Sequence, residues 1–142
     1  IYDSNHPKVL LNKEIEYMQN YVSLERLRLN NQIPIDFEVK GSVENRWIAP
    51  LIFITFLENA FKHGVSANNP KAWVKVTIQL EGNQCIYTVQ NSKPEKPDTQ
   101  EKSGIGLQNV KRRLELSYPG HYTLTTEDKN GVYYIQLILT LS

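Results

Sequence analysis

The stretch Val74-Lys-Val-Thr-Ile-Gln-Leu-Glu-Gly-Asn-Gln-Cys-Ile-Tyr-Thr-Val-Gln90 decides the fold class. Val74, Val76, Ile78 and Leu80 alternate with Lys75, Thr77 and Gln79, the two-residue period of a strand with one apolar face. Glu81-Gly82-Asn83 is a turn, and the chain returns as a second strand from about Gln84 to Gln90. A second hairpin turns at Asn130-Gly131, a pair suited to a tight turn with both φ angles positive. Its last strand puts Ile135, Leu137, Leu139 and Leu141 on one side. Ile35-Asp36-Phe37-Glu38-Val39-Lys40 also alternates, and Gly41 closes it. Hairpin-joined strands with helices grouped between them imply an α+β two-layer sandwich rather than a doubly wound parallel sheet.

Three helices are expected between these strands. Asn12 is a plausible N-cap for the first, from about Lys13 to Asn30, with Ile15, Met18, Val22 and Leu29 as its apolar stripe. Tyr17, Tyr21 and Leu24 widen that stripe. The second runs from about Pro50 to His63, with Gly64 as its stop. Gly104-Ile105-Gly106 opens the third, which places Leu107, Val110 and Leu114 on one face and ends at Pro119-Gly120. Residues 1–11 read as an extended, turn-rich lead-in. Ser92 to Ser103 has two prolines and no periodicity, and reads as a mobile loop placed to act as a lid.

A length of 142 residues fits one globular domain with a short appendage, and a net charge of +1 excludes a strongly basic nucleic-acid binder. Lys111-Arg112-Arg113 reads as the solvated face of a helix, so no nucleic-acid partner is expected. The single Cys85 cannot form an internal disulfide, which makes a reducing compartment the default. The longest apolar stretch, Trp47 to Leu57, falls short of the roughly 20 residues that span a bilayer. The sequence begins at Ile1 without an initiator Met, and is expected to be part of something longer.

The second helix holds the candidate chemistry. It is apolar around most of its circumference, yet Thr55, Glu58, Asn59, Lys62 and His63 recur at spacings of three and four. This pattern is either a solvent-facing seam or the wall of a polar pocket. Glu58 and Asn59 offer hard oxygen ligands suited to Mg²⁺, and Lys62 offers a point charge for phosphate. Gly104-Ile105-Gly106-Leu107 is either a tight turn or a place where backbone N–H groups approach phosphate at the positive end of a helix.

Taken together, these segments carry a family resemblance. Glu58-Asn-Ala-Phe-Lys-His-Gly64 resembles the N box of sensor histidine kinases in the LytS-like subfamily, and Gly104-Ile-Gly-Leu-Gln-Asn-Val-Lys-Arg-Arg-Leu114 resembles that subfamily's glycine box. Tyr2-Asp3-Ser4 and Lys13-Glu-Ile-Glu-Tyr-Met-Gln-Asn-Tyr21 are similar to the segment after the phosphoacceptor helix. The resemblance implies the ATP-binding fold of histidine kinases, gyrase, Hsp90 and MutL: a mixed, mostly antiparallel sheet of about five strands, covered on one face by about three helices. On this reading residues 1–32 are the end of the dimerisation region and residues 33–142 the ATP-binding catalytic domain. Asn59 would hold Mg²⁺, with Glu58 as a second candidate ligand. Lys62 would approach the ATP phosphates, Gly104, Ile105, Gly106 and Leu107 would cradle them, and His63 in the same motif is either an ATP-binding residue or a packed, hydrogen-bonding histidine. The implied reaction transfers the γ-phosphoryl group of ATP to a histidine on an upstream helix of the same protein or its dimer mate. The implied partners are that helix, a response regulator and a second copy in a homodimer. The implied location is cytoplasmic, in a protein anchored in the bacterial inner membrane.

Three features depart from the family pattern. Asn91 stands where the family has the Asp that accepts a hydrogen bond from the adenine amino group, and the accompanying glycines are absent. An amide presents either acceptor or donor by flipping, so weaker discrimination of ATP from GTP is expected than with Asp. Thr55 stands where related ATPases carry a water-activating Glu, which argues against hydrolysis. None of His6, His63 and His121 resembles a phosphoacceptor on an exposed helix, so the acceptor is expected upstream of Ile1. The altered adenine box supports an alternative, a degenerate signalling scaffold that binds nucleotide weakly or not at all.

Overall fold

The computed structural model describes residues 7–65, 71–93 and 104–141, and for residues 63–64 and 104–106 the backbone alone. The expected turn at Asn5-His6 and most of the Ser92–Ser103 loop therefore lie outside the described residues.

The elements in chain order are β1 (Val9–Leu10), α1 (Leu11–Arg28), β2 (Ile35–Lys40), β3 (Trp47–Ile48), α2 (Ile52–Gly64), β4 (Val74–Glu81), β5 (Gln84–Ser92), α3 (Gly104–Ser117), β6 (Tyr122–Lys129) and β7 (Val132–Thr140). Five strands form one sheet in the order β2-β4-β5-β7-β6. β2 pairs parallel with β4, and every other pairing in that sheet is antiparallel. This is the expected mixed α+β sandwich.

The alternation read from the sequence sets which residues reach the core. Val39, Ile78, Tyr87, Leu137 and Leu124 stand in register as one apolar row across all five strands. The helices pack on that face. Phe53 of α2 stacks on Tyr87 with ring centroids 4.1 Å apart and planes 20° from parallel, and the Tyr87 hydroxyl donates to the Phe53 carbonyl oxygen at 2.8 Å. Leu11, Ile15, Met18 and Val22 of α1 join the same buried cluster.

The turns follow the residues that permit them. Asn130 and Gly131 both have positive φ, 57° and 76°. Gly41 sits at φ +95°, where a Cβ would meet the Leu80 carbonyl oxygen at 2.7 Å, so a larger residue is excluded there on two counts.

Helix ends differ from the sequence reading. α1 begins at Leu11, and Asn12 lies inside the first turn rather than capping it. The reason is that β1 runs directly into the helix. β1 pairs antiparallel with β3, and the Leu11 N–H donates to the Arg46 carbonyl oxygen at 2.8 Å, which satisfies a donor that a cap would otherwise serve. α1 stops at Arg28 because Asn30 and Asn31 turn into the left-handed region, at φ 56° and 55°. α2 begins at Ile52, not Pro50, after a left-handed Leu51. β5 continues to Ser92, so Asn91 belongs to a strand rather than to its exit.

Candidate functional site

α2 is the central helix of its layer: it packs on β4 and β5 below and on both α1 and α3. Its buried side carries Phe53, Phe56, Leu57 and Ala60. Tyr21 of α1 meets Phe61 edge-on, with centroids 5.6 Å apart. Asn59 lies two residues before Phe61, about 160° around the helix, and is turned away from α1. Asn59 is half-buried and makes no side-chain hydrogen bond among the described residues. Thr55, one turn earlier, donates its hydroxyl hydrogen to the Leu51 carbonyl oxygen at 2.6 Å.

Glu58 and Lys62 lie elsewhere. Both line a groove of about 410 Å³ between α2 and α1, together with Tyr21, Glu25, Arg28 and Phe61. The recurring spacing of polar residues thus wraps around two sides of α2: Asn59 on one, Glu58 on the other, with Lys62 exposed near the crest. Of His63, Gly104, Ile105 and Gly106 only the backbone is described. It places His63 in the last turn of α2 and Gly104 at the first turn of α3. Leu107 packs against the core from the start of α3. Arg113 is not part of a solvated face, since its guanidinium donates to the carbonyl oxygens of Pro50 and Leu51, while Lys111 and Arg112 are exposed.

Asn91 faces the helices from the end of β5, in register with Val74 and Tyr133, and is 3% exposed. Its Nδ2 donates to the Ser92 carbonyl oxygen at 2.8 Å. That bond fixes which end of the amide is presented, and leaves Oδ1 as the free acceptor. No fully enclosed side-chain oxygen or nitrogen among the described residues lacks a partner. Oδ1 accepts nothing among them.

A residue the sequence reading passed over is Glu14. Glu14 is 5% exposed, and its Oε2 accepts from the Leu51 N–H at 3.2 Å. Burial pushes its pKa above the usual carboxylate value, while hydrogen bonds from the Leu51 and Ile54 N–H groups and the charge of Arg113 pull the other way. The available signal was its spacing, between Leu11 and Met18 on the stripe that α1 buries. A raised pKa means that the folded chain holds this proton more tightly than the unfolded chain. The associated stability is fully present below pH 4.5 and is lost as pH rises through the raised value. Glu14→Gln is therefore expected to flatten the slope of stability against pH in that window, as measured by urea unfolding from pH 4.5 to 8.

Cys85 is buried among apolar side chains, which pushes its thiol up to about 12, so it packs rather than reacts. Among the described residues no three His, Cys, Asp or Glu side chains converge to hold a metal ion. A lone amide oxygen at Asn59 does fit Mg²⁺, which keeps several waters and takes its other ligands from phosphates.

No protein-family model matches the chain. It is 24% identical to the sensor protein LytS of Enterococcus faecalis over 120 residues, covering 76% of this chain and 20% of LytS. The chain spans between about a fifth and two fifths of the length of the curated relatives it matches. Among solved structures it superposes on the mycobacterial sensor histidine kinase MprB with a TM-score of 0.65 at 17% identity, covering 96% of this chain and 97% of that one. It also superposes on the histidine kinase ThkA, solved in complex with the response regulator protein TrrA, with a TM-score of 0.61 at 16% identity, covering 95% and 41%. In fold this chain resembles the catalytic domains of histidine kinases, and in sequence it is similar to LytS and other sensor histidine kinases.

Proposed function

We propose that this chain is the ATP-binding catalytic part of a LytS-like sensor histidine kinase, and that it delivers the γ-phosphoryl group of ATP to a histidine outside the chain. The observation that carries the reading is Asn91: a buried side chain, pinned through Nδ2, with one acceptor left open at the end of a central strand. An adenine amino group donates to such an acceptor, whereas a guanine carbonyl oxygen would face it and be repelled. The orientation of the amide thus restores selectivity that Asn would otherwise lose.

The other parts supply charge and position. Asn59 would contribute one oxygen to Mg²⁺, which supplies charge neutralisation for the phosphates. The N-terminal backbone of α3, from Gly104 through Leu107, would offer N–H groups to phosphate, as helix starts do. Lys62 and His63 are candidate phosphate contacts from the last turns of α2, and Glu58 is the weaker metal candidate because it lies on the α1 side. Phosphoryl transfer asks a protein mainly for positioning and electrostatic stabilisation. Thr55 spends its hydroxyl hydrogen on the Leu51 carbonyl oxygen and cannot act as a carboxylate base, so a reaction with water is disfavoured. Residues 1–32 would link this domain to the dimerisation region. The full protein would act as a homodimer anchored in the bacterial inner membrane, with the cytoplasmic catalytic domain serving a response regulator.

The test is titration with a fluorescent ATP analogue, with and without Mg²⁺. Tighter binding with Mg²⁺ is expected, and no self-labelling from γ-labelled ATP, since the acceptor lies elsewhere. Failure to bind nucleotide at all would favour the scaffold alternative. Asn91→Asp replaces the Nδ2 donor by an oxygen facing the Ser92 carbonyl. It is expected to cost about 1–3 kcal/mol of stability in urea unfolding. Competition experiments should show ATP preferred over GTP in both forms.

A further inference from the structure

We propose that Glu14 is a positioning residue for α2, and that together with Arg113 it clasps the start of that helix so that the placement of α1 governs the placement of Asn59.

The start of α2 lacks every ordinary cap. The N-cap residue is Leu51, in the left-handed region at φ 65° and ψ 13°, and it has no side-chain hydrogen bond to give. It is 49% exposed, so apolar burial does not explain the conformation. Pro50 before it has no N–H. The missing cap comes from another helix. Glu14 of α1, 37 residues away, accepts from the Leu51 N–H through Oε2, and the Ile54 N–H lies near enough to the same carboxylate to favour its charged form. Its negative charge also meets the positive end of the α2 dipole.

The opposite side of the same segment is held from α3. The Arg113 guanidinium donates to the Leu51 carbonyl oxygen at 3.3 Å and also to that of Pro50. An acid from one flanking helix and a base from the other therefore grip the two sides of one left-handed residue. Among the described residues they form no salt bridge with each other; each is spent on the α2 backbone. The Leu51 carbonyl oxygen also accepts from Thr55, which leads one turn further to Asn59.

Stability alone does not call for this arrangement. Position 14 lies between Leu11, Ile15 and Met18, where an apolar side chain would fill the site without desolvating a carboxylate. A cap supplied from within α2 would serve the same N–H groups. What the Glu14 arrangement adds is dependence of the first turn of α2 on α1, the helix that precedes the catalytic sheet.

The test uses the full 142-residue chain. Amide hydrogen exchange is followed in Glu14→Ala, Glu14→Gln and Arg113→Ala, together with affinity for a fluorescent ATP analogue with Mg²⁺. Glu14→Ala is expected to speed exchange about tenfold at Leu51 and Ile54, the worth of one hydrogen bond to a charged group, with a smaller rise through Asn59. Protection at Val89 and Leu137 in the sheet should not change. Glu14→Gln, which keeps an acceptor oxygen, should restore most of the protection. The combined Glu14→Ala/Arg113→Ala variant should depart from additivity, because both grip one segment. Unchanged exchange at Leu51 and Ile54 in Glu14→Ala would overturn the proposal, as would loss of protection spread equally over the sheet. If Glu14→Ala does not fold, Glu14→Asp is read in the same way, since it withdraws the carboxylate by one methylene. The affinity arm rests on the nucleotide reading: about fivefold weaker binding in Glu14→Ala is expected there. A wild type that binds no nucleotide defeats that reading alone, and the exchange arm still decides the clasp.

Discussion

Phe53→Ala is expected to lower the free energy of unfolding by about 3–5 kcal/mol, the range for removing a buried aromatic ring and leaving a cavity. Phe53 is fully buried at the centre of the helix–sheet interface, stacked on Tyr87, and its carbonyl oxygen accepts the Tyr87 hydroxyl. The ring has neighbours on both sides: Tyr87 below, and α2, which carries it, above. Phe56 also meets Tyr87, edge-on at 6.4 Å, so the cavity cannot close without moving a second aromatic ring. Urea unfolding measures the effect. Tyr87→Phe is the control, because it keeps the stack and removes only the hydroxyl, and a loss of about 1 kcal/mol is expected. Equal losses from the two variants would mean that the hydrogen bond, not the stacked ring, holds α2 on the sheet.

Asn59→Ala is expected to weaken Mg-ATP binding by about 1–3 kcal/mol, the cost of losing a partner for a charged group. The side chain is half-buried and unbonded among the described residues, so stability should stay within about 0.5 kcal/mol of wild type. Binding of metal-free ATP should barely change. Calorimetry with and without Mg²⁺ separates these outcomes. An equal loss in both titrations would assign Asn59 to the nucleotide itself and leave the metal to other ligands.

The strands were legible because their information is local. The β4–β5 and β6–β7 hairpins follow from alternation and from Gly82, Asn130 and Gly131. The parallel pairing of β2 with β4 carries no such mark: Ile35 meets Val74 only after α2 has crossed between them. β1 and β3, two residues each, are too short to show a period, and they shifted the start of α1 by supplying its first hydrogen bond from Arg46. In the candidate site, Asn59 and Asn91 were found through their motif neighbourhoods. Their surroundings were not: the bond from Asn91 to Ser92 depends on the end of β5 being a strand. Glu58 and Lys62 looked like partners of Asn59 because spacings of three and four suggest one side. Adjacent residues on a helix nevertheless differ by about 100°, enough to place Glu58 in a different groove. Glu14 was invisible as a cap because the backbone N–H that donates to it lies far along the chain, at Leu51.

The sheet order has a kinetic consequence. Both hairpins join residues close in sequence, so they form early and need little loop closure. β2 closes the longest loop in its half of the sheet, and it is an edge strand paired on one side only. It is therefore among the last parts of the sheet to dock and the first to open from the native state. Arg26 of α1 donates to the Ile35 carbonyl oxygen at 2.7 Å, at the first residue of that strand. Opening of β2 breaks that bond and frees the C-terminal end of α1, while the rest of α1 stays held on α2 through Glu14 and Tyr21.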